Sequence, residues 1–210
     1  SWQDLTNAGD ISGATSNSLT INNTDQTDQA DYRCQVSGDC GNVTSNVAAL
    51  TVNSNTQITS QPSNLTVCEG EDALFSITAD GTNLSYQWQS DASGSWQDLV
   101  TGGDISGANT AQLTLSNSDS TDQANYRVVV AGDCGPNQTS ASVSLTVNKA
   151  TQITSQPSDA EVCEGTNATL SLSAEGTNLA YQWQKFDGAN WQDLTNAGDI
   201  SGATSNSLTI

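Results

Sequence analysis

The feature that most constrains this chain is an internal repeat carried by two aromatic motifs. Tyr-Gln-Trp-Gln at residues 86–89 is followed by Trp-Gln-Asp-Leu at residues 96–99. Both motifs return at residues 181–184 and 191–194, and the second also occupies residues 2–5. Successive copies of the second motif start 94 and 95 residues apart. A period of this length indicates a tandem array of one folding unit, because self-similarity at a fixed spacing is typical of repeat architectures.

The sequence within one repeat predicts β-strands. Before Trp88 the large residues Leu84 and Tyr86 alternate with the polar residues Ser85 and Gln87. A period of two is typical of a strand that buries one face. About seven short strands, separated by turns rich in Gly, Asn and Asp, account for the complete repeat.

A third motif indicates which β-fold is present. Asp-Gln-Ala-Asn-Tyr-Arg-Val at residues 122–128 matches Asp-Gln-Ala-Asp-Tyr-Arg-Cys at residues 28–34. A tryptophan strand followed 38 residues later by the tyrosine of this motif resembles the immunoglobulin fold. In that fold the tryptophan lies on strand C and the tyrosine forms a corner at the start of strand F. The resemblance covers the whole chain and implies an all-β fold of tandem immunoglobulin-like β-sandwich domains.

The repeat predicts one complete unit flanked by two partial units. The segments are the C-terminal half of a repeat at 1–53, a linker at 54–57, a complete repeat at 58–148, a linker at 149–152 and the N-terminal part of a third repeat at 153–210. Residues 191–210 are identical to residues 2–21, whereas residues 96–115 match them at 12 of 20 positions. This difference indicates a larger period, a two-repeat block of 189 residues.

Two explanations for the partial repeats stay open. In the first, residues 1–210 are a window on a much longer polypeptide. In the second, the C-terminal half of one chain completes the N-terminal half of the next, and such a head-to-tail swap would polymerise.

The resemblance also implies which residues form the core. The cysteine that bonds the two sheets of antibody domains is absent from strand B, where Ile77 and Leu172 stand. It is also absent from strand F of the complete repeat, where Val128 stands, so an aliphatic pair replaces that disulfide. The predicted core residues are Trp88, Trp183, Tyr32, Tyr126, Ile77, Val128 and Leu172.

The five cysteines fall at three kinds of position. Cys34 keeps the strand-F position and, opposite an aliphatic residue, is predicted to be a buried free thiol. The disulfide candidates are Cys68 and Cys163 in Val-Cys-Glu-Gly, and Cys40 and Cys134 in Gly-Asp-Cys-Gly. Paired cysteines of this kind favour an oxidising, extracellular setting. Bridges between neighbouring repeats and an unusual bridge within one repeat both stay open, and end-to-end stacking of the repeats favours the first.

Charge and composition exclude several classes of binding partner and function. Four Lys and Arg stand against 23 Asp and Glu, a net charge of −19. Such a chain lacks the cationic face that nucleic acid or an anionic membrane needs. It contains no His, the most common general base and metal ligand, and no apolar run near the roughly 18 residues of a membrane span. We therefore expect no enzyme, no cofactor, no nucleic-acid partner and no membrane insertion of this segment.

Two groups of residues invite a binding function. Trp2, Trp96 and Trp191 could stack on sugars, although covering the sandwich face explains them better. Aspartates recur in Gly-Asp-Ile-Ser-Gly-Ala and Gly-Asp-Cys-Gly, and could supply oxygen ligands to calcium. No Asp-x-Asp-x-Asp loop is present, so turn formation explains them better. Calcium is left open only at the domain junctions.

The motifs also point to a functional setting. Val-Cys-Glu-Gly, Tyr-Gln-Trp and a Cys-Gly after the Tyr-x-Cys strand occur together here, which resembles the tandem immunoglobulin-like repeats of large surface or secreted proteins of Bacteroidota-type bacteria. The resemblance implies an extracellular or cell-surface location and a role in adhesion or in a filament. Two functions follow: a stiff acidic shaft whose partners are neighbouring repeats, or a multivalent module whose loops bind a surface or glycan ligand.

Overall fold

The computed structural model describes residues 1–210 and is built almost entirely from β-strands. Residues 1–53 contain six short strands and one 3₁₀ helix. Their bounds are β1 Ile11–Ser12, β2 Thr20–Ile21, the 3₁₀ helix Gln26–Asp28, β3 Ala30–Tyr32, β4 Gln35–Gly38, β5 Gly41–Thr44 and β6 Ala48–Leu50.

The central segment contains the longest strands. Their bounds are β7 Gln57–Ser60, β8 Leu65–Cys68, β9 Ala73–Ser76, β10 Thr78–Asp80, β11 Ser85–Ser90, β12 Gln97–Asp98, β13 Ile105–Ser106, β14 Gln112–Leu115, the 3₁₀ helix Ser120–Asp122, β15 Asn125–Ala131, β16 Gln138–Thr139 and β17 Val143–Asn148. Gln57, predicted to end a linker, instead begins β7 and pairs with Asp80 of β10.

The last segment contains six strands. Their bounds are β18 Gln152–Ser155, β19 Thr169–Ser171, β20 Ser173–Glu175, β21 Gln184–Phe186, β22 Trp191–Asp193 and β23 Ser207–Thr209. Gln152, predicted to end the second linker, begins β18 and pairs with Glu175 of β20. The residue at the C-terminal end of each predicted linker is therefore the first residue of a strand.

The chain packs into two compact units, each made of three stretches of sequence. The first consists of Ser1–Gln61, Ile77–Gln87 and Val128–Ser140, and the second of Pro62–Ser76, Trp88–Arg127 and Ala141–Ile210. Strands β11 and β15 contribute residues to both units.

In the first unit the strands pair as antiparallel ribbons. β1 pairs with β2, β3 with β6, β7 with β10, and the end of β15 with β16. β4 and β5 form a tight hairpin with Gly38 opposite Gly41, where the sequence predicts a turn.

In the second unit the pairing gives two layers and three further ribbons. One layer belongs to a sheet of order β12-β11-β15-β17-β8, in which β17 and β8 run parallel with Leu145 opposite Leu65. The other layer is the antiparallel sheet β13-β14-β9. The ribbons are β18 with β20, β19 with β23, and β21 with β22.

Three aromatic rings join the two layers. Phe75 of β9 lies 6.1 Å from the ring of Trp88 on β11 and 5.1 Å from the ring of Tyr126 on β15. The three side chains are 2%, 0% and 3% exposed. Burying an aromatic side chain of this size contributes about 1.5–3 kcal/mol. The cluster is therefore an apolar contact between β9 and the facing sheet.

Hydrogen bonds fix the tryptophan of the first motif. The indole Nε1 of Trp88 donates to the carbonyl of Thr110 at 2.9 Å, which satisfies the one polar atom of a buried ring. The Leu99 N–H donates to the Trp88 carbonyl at 2.9 Å and ties the second motif to the first. Trp183 repeats the indole bond with the Ser205 carbonyl at 2.8 Å.

The polar residues of the two motifs also pair with each other. Gln89 Nε2 donates to Asp98 Oδ1 at 2.7 Å, and Gln184 Nε2 donates to Asp193 Oδ1 at 2.8 Å. The repeated spacing of the two motifs thus places a glutamine and an aspartate opposite each other on neighbouring strands.

The tyrosine motif forms the expected corner. The Tyr126 hydroxyl donates to the Asp122 carbonyl at 2.6 Å, and the Tyr32 hydroxyl donates to the Asp28 carbonyl at the same distance. Each tyrosine follows a 3₁₀ helix that is closed by an aspartate capping box. The two copies of the Asp-Gln-Ala-x-Tyr-Arg motif thus form turns of the same geometry.

The burial of the predicted core residues differs between the segments of the chain. In the central segment Trp88, Ile77, Tyr126 and Val128 are buried. Contrary to the prediction of core positions, three others are partly exposed: Tyr32, Trp183 and Leu172. Each of these lies outside the central segment. Residues 1–53, for example, contain no counterpart of the Phe75 ring that stacks on Tyr126.

We expect Phe75→Ala to lower the free energy of unfolding by about 3–5 kcal/mol, because the change removes buried apolar surface and leaves a cavity between the layers. Phe186→Ala is the matched control, since Phe186 is 50% exposed and is the only other phenylalanine. Its effect should stay within about 1 kcal/mol. Urea unfolding followed by tryptophan fluorescence measures both variants, and equal losses would contradict the placement of Phe75.

The tyrosine corner predicts a loss of stability at alkaline pH. Burial, and then the charges of Asp122 and Asp91, raise the pKa of Tyr126. Stability from this group is present below about pH 10, the pKa of an unfolded tyrosine, and is lost as the pH rises further. At pH 7 Tyr126→Phe should cost about 1 kcal/mol for the lost hydrogen bond.

The check is unfolding in urea at pH 7 and at several values above pH 10. Tyr126→Phe should show a smaller alkaline loss of stability than the natural chain, whereas the control Tyr181→Phe should keep it. A Tyr126→Phe variant that loses as much stability as the natural chain above pH 10 would refute the assignment.

Candidate functional site

The linkers between the repeat segments are held by hydrogen bonds and form the candidate site. We call residues 53–56 the first linker. Its Ser54 N–H donates to Thr82 Oγ1 at 2.8 Å, and its Ser54 carbonyl accepts from the Thr82 N–H at 3.3 Å. The N–H and the hydroxyl of Thr56 each donate to the Cys134 carbonyl at 3.0 Å. The turns that follow β10 and β15 therefore both form hydrogen bonds with this linker.

The first linker is also held from the preceding segment. Gln26 Nε2 donates to the Val52 carbonyl at 2.6 Å and to Ser54 Oγ at 3.1 Å. Gln26 belongs to the 3₁₀ helix before the first tyrosine corner. Bonds from both flanking segments thus converge on Ser54.

We call residues 148–151, which begin with the last residue of β17, the second linker, and hydrogen bonds hold it in the same manner. The Lys149 N–H donates to Thr177 Oγ1 at 2.7 Å, and the Lys149 carbonyl accepts from the Thr177 N–H at 3.2 Å. From the preceding segment, Glu69 accepts through Oε2 from the Ala150 N–H at 3.3 Å. The Glu69 N–H donates to the Asn148 carbonyl at 2.8 Å.

Both linkers lie against a glycine that leaves no room for a side chain. A Cβ on Gly81 would lie 3.2 Å from Thr56 Cα, and a Cβ on Gly176 would lie 3.1 Å from Thr151 Cα. The φ angles of the two glycines are +147° and +152°, a region that other residues rarely adopt. In the Gly-Thr-Asn sequence after β10 and β20, the glycine therefore allows the linker backbone to come close, and the threonine hydrogen-bonds to it. We call Thr82 and Thr177 the threonine clamp.

One ion pair accompanies the second linker. Lys149 Nζ contacts Glu175, and the hydrogen bond to that carboxylate, followed by its charge, raises the pKa of Lys149. Both side chains are 55% exposed, and solvent screens surface pairs of this kind, so they contribute little to stability. Hydrogen bonds of the main chain therefore hold the linker in place more than this ion pair does.

The cysteines predicted to form disulfides are unpaired in the structure. Cys40, Cys68 and Cys163 are exposed and Cys134 is half-buried. Cys34 carries a free thiol, but it is exposed and not buried as predicted. Its N–H donates to Ser45 Oγ at 2.9 Å, the bond that Val128 makes with Ser140 at 3.0 Å. The backbone hydrogen bond at the strand-F position is thus retained, but residues 1–53 do not bury the side chain at that position.

The second-motif tryptophans are partly covered by arginine. The Arg33 guanidinium lies 4.1 Å from the ring centre of Trp2, and that of Arg127 lies 4.2 Å from the ring centre of Trp96. Cation–π contacts of this kind occupy one ring face. Trp191 is 65% exposed and packs on Phe186. The arginine contacts favour the interpretation that these tryptophans cover the sheet.

The turn aspartates act within their own turns. The Asp10 carbonyl accepts from the Asn22 N–H at 2.9 Å, and the Asp104 carbonyl accepts from the Ser116 N–H at 2.8 Å. Asp91 accepts from Asn125, and that side-chain hydrogen bond holds the pKa of Asp91 below its usual range. The structure contains no group of three or more His, Cys, Asp or Glu side chains arranged to hold a metal ion.

Sequence reasoning missed the threonine clamp. Thr82 and Thr177 stand in the near-identical stretches Ala-Asp-Gly-Thr-Asn-Leu and Ala-Glu-Gly-Thr-Asn-Leu, at residues 79–84 and 174–179. The repetition of a polar threonine between a glycine and an asparagine was the available signal. It was not recognised because a threonine in a turn has many local roles.

Two facing sheets, a buried strand tryptophan and a tyrosine corner define the chain as a tandem array of immunoglobulin-like β-sandwiches. Among solved structures, the titin I-band fragment I67-I69 superposes with a TM-score of 0.68 at 17% identity, covering 98% of this chain and 73% of that one. Residues 57–149 match the family model described as "Domain of unknown function (DUF8696)".

Two curated proteins are similar in sequence over most of the chain. "Muscle M-line assembly protein unc-89" of Caenorhabditis elegans is 29% identical over 171 residues, which is 80% of this chain. "Endoglucanase C" of Cellulomonas fimi is 32% identical over 157 residues, which is 73% of this chain. The chain spans only 2% and 13% of the lengths of these two relatives. None of the helices in the structure has the length and apolar character needed to cross a membrane.

We expect Thr177→Val to speed amide hydrogen exchange at Lys149 by about five- to tenfold, because the lost hydrogen bond is worth about 1 kcal/mol. Thr82→Val is the matched control: it should speed exchange at Ser54 and leave Lys149 unchanged. Exchange followed by nuclear magnetic resonance measures both sites. Unchanged exchange at Lys149 in folded Thr177→Val would show that the clamp does not hold the linker.

Proposed function

We propose that the chain is a structural repeat segment, a stiff acidic shaft of a long extracellular adhesin or filament. Its task is to hold a distant binding part away from the surface to which the polypeptide is attached. The observation that carries the proposal is the hydrogen bonding of both linkers from each side. Ser54 is held by Gln26 and Thr82, and the second linker is held by Glu69 and Thr177.

Such linkers differ physically from flexible connections. A Gly and Ser-rich linker behaves as a random coil and leaves its neighbours free to reorient. Here each linker is only a few residues long, and main-chain N–H and carbonyl groups at its centre are bonded to threonine turns. Bending at a linker therefore requires several hydrogen bonds to break together.

The charge of the chain supports the same role. A net charge of −19 over 210 residues makes neighbouring repeats repel one another and favours extension and solubility. The partners in this proposal are the neighbouring repeats. The role is mechanical and needs no catalytic group or cofactor.

The location and the source are part of the proposal. Its support is the sequence resemblance to Bacteroidota-type surface repeats, together with cysteines placed at regular positions. The alternative, a multivalent glycan-binding module, gains less support, because arginine occupies one face of Trp2 and of Trp96.

Small-angle X-ray scattering of the 210-residue chain tests the stiffness. We expect one conformer to account for the natural chain, and a variant with Gly-Gly-Ser-Gly inserted after Asn53 to require a broad ensemble. The control carries the same insertion after Asp39, in the exposed β4–β5 hairpin, and should scatter like the natural chain. Natural and linker-insertion chains with the same broad distribution would refute the shaft.

A glycan array probed with the same chain distinguishes the shaft from the glycan-binding module. The shaft predicts no binding at any glycan. Binding that is lost in Trp191→Ala would favour the glycan module.

A further inference from the structure

Each of the two cysteine motifs lies beside a linker, one beside the linker that precedes its repeat and the other beside the linker that follows it. The Gly-Asp-Cys-Gly turn lies beside the linker that precedes its repeat. Asn55 forms a parallel bridge with Cys134, and the Cys134 carbonyl accepts both bonds from Thr56. A Cβ on Gly135 would lie 3.6 Å from the Thr56 nitrogen, so the turn is in close contact with this linker.

The Val-Cys-Glu-Gly turn lies beside the linker that follows its repeat. Cys68 ends β8 and is in register with Asn148 at the end of β17. The next residue, Glu69, bonds to Asn148 through its N–H and to Ala150 through its carboxylate. Neighbouring strands are about 4.8 Å apart, so Cys68 lies one strand spacing from the second linker.

The two linkers are equivalent, residue by residue. Val-Asn precedes Ser54 and Lys149 alike, and Thr-Gln-Ile-Thr-Ser-Gln-Pro-Ser begins at both Thr56 and Thr151. Ser54 and Lys149 make the same pair of bonds to a Gly-Thr-Asn turn. Ala150 therefore occupies the place of Asn55. A Gly-Asp-Cys-Gly turn placed in the third repeat as the turn at Cys134 is placed in the second would lie beside Ala150, and Cys68 lies beside Asn148.

We propose that the Val-Cys-Glu-Gly cysteine of one repeat forms a disulfide with the Gly-Asp-Cys-Gly cysteine of the next. Cys68 bonds to the counterpart of Cys134 in the third repeat, and Cys134 bonds to the counterpart of Cys68 in the first. No two cysteines within residues 1–210 are partners in this scheme, in agreement with the five free thiols of the structure. The alternative bridge would join Cys68 to Cys134, and both of these are present and unbonded.

Formation of the bond needs an oxidant, and a small-molecule disulfide such as oxidised glutathione serves. The Cys68 thiolate attacks one glutathione sulfur, releases one glutathione thiolate and forms a mixed disulfide. The partner thiolate then displaces the second glutathione and forms the bond between repeats. Two protein thiols are oxidised to one disulfide, and one glutathione disulfide is reduced to two thiols.

The bond adds a covalent link beside a linker that is already held by hydrogen bonds. It rests on the same tandem arrangement as the proposed shaft, but the two can fail separately. A disulfide can form in an array that bends, and a stiff array can keep its thiols reduced. The scattering experiment addresses stiffness in the 210-residue chain, in which the scheme pairs no cysteines.

The test extends the full chain by its own sequence. Residues 191–210 are identical to residues 2–21, so a copy of residues 22–53 appended after Ile210 continues the third repeat as the chain itself continues the first. The appended segment carries copies of Cys40, the Gly-Asp-Cys-Gly cysteine, and of Cys34, so the extended chain has seven cysteines. It is folded at low concentration with oxidised and reduced glutathione, unfolded in denaturant, alkylated and digested at its many acidic residues. Mass spectrometry then identifies linked peptides.

We expect two thiols of the extended chain to escape alkylation and Cys68 to be linked to the appended copy of Cys40. Cys68→Ser should abolish the link, whereas Cys163→Ser, in the identical tetrapeptide, should keep it. The unextended chain should keep all five thiols reactive. A bond from Cys68 to Cys134, or a folded extended chain whose Cys68 stays fully reactive, would overturn the proposal. Circular dichroism establishes folding for each variant.

Discussion

Everything in the central segment depends on the contact between two β-layers through Phe75, Trp88 and Tyr126. A single sheet cannot bury its apolar face, and a chain in which hydrophobic residues make up 34% of the sequence has little material with which to do so. Three large rings in contact supply much of that burial at one place. The hydrogen bonds of the Trp88 indole and the Tyr126 hydroxyl let these polar rings enter the interior without an unsatisfied donor.

The linkers extend this architecture from one repeat to the next by a different physical means. The residues of both linkers are mostly small or polar, and directed hydrogen bonds hold them. A glycine permits close approach, and the threonine after it exchanges two bonds with the linker backbone. Because this device is local, it can be copied with each repeat without any change to the core.

Much of the fold could be predicted from the sequence because its signals are strong and repeated. The alternation around Trp88 and the spacing to Tyr126 identified the fold class and the tyrosine corner, and the hairpin at residues 38–41 followed from its glycines. The exposure of Tyr32, Trp183 and Leu172 could not be read from their motifs, because burial depends on strands elsewhere in the repeat. The start of β7 at Gln57 and of β18 at Gln152 could not be read locally either, because each glutamine pairs with a residue more than twenty positions away.

The candidate site was less accessible to sequence reasoning. The cysteine motifs were visible, but their position relative to the linkers rests on the register of β8 with β17 and on the bridge between Asn55 and Cys134. Neither pairing leaves a periodic signal in the chain. Thr82 and Thr177 act through a side-chain oxygen on a backbone far away in sequence, and a propensity argument has no access to such a bond.

The arginine stacking has a consequence for how neighbouring polypeptides meet. Arg33 and Arg127 lie over tryptophans and Lys149 is paired with Glu175, so three of the four basic side chains already have a contact within the chain, whose net charge is −19. Two such molecules side by side repel within a Debye length, about 8 Å at physiological ionic strength and about 3 Å in molar salt. Dissolved counterions therefore govern how closely two such molecules can pack side by side, and a medium of low ionic strength keeps them apart.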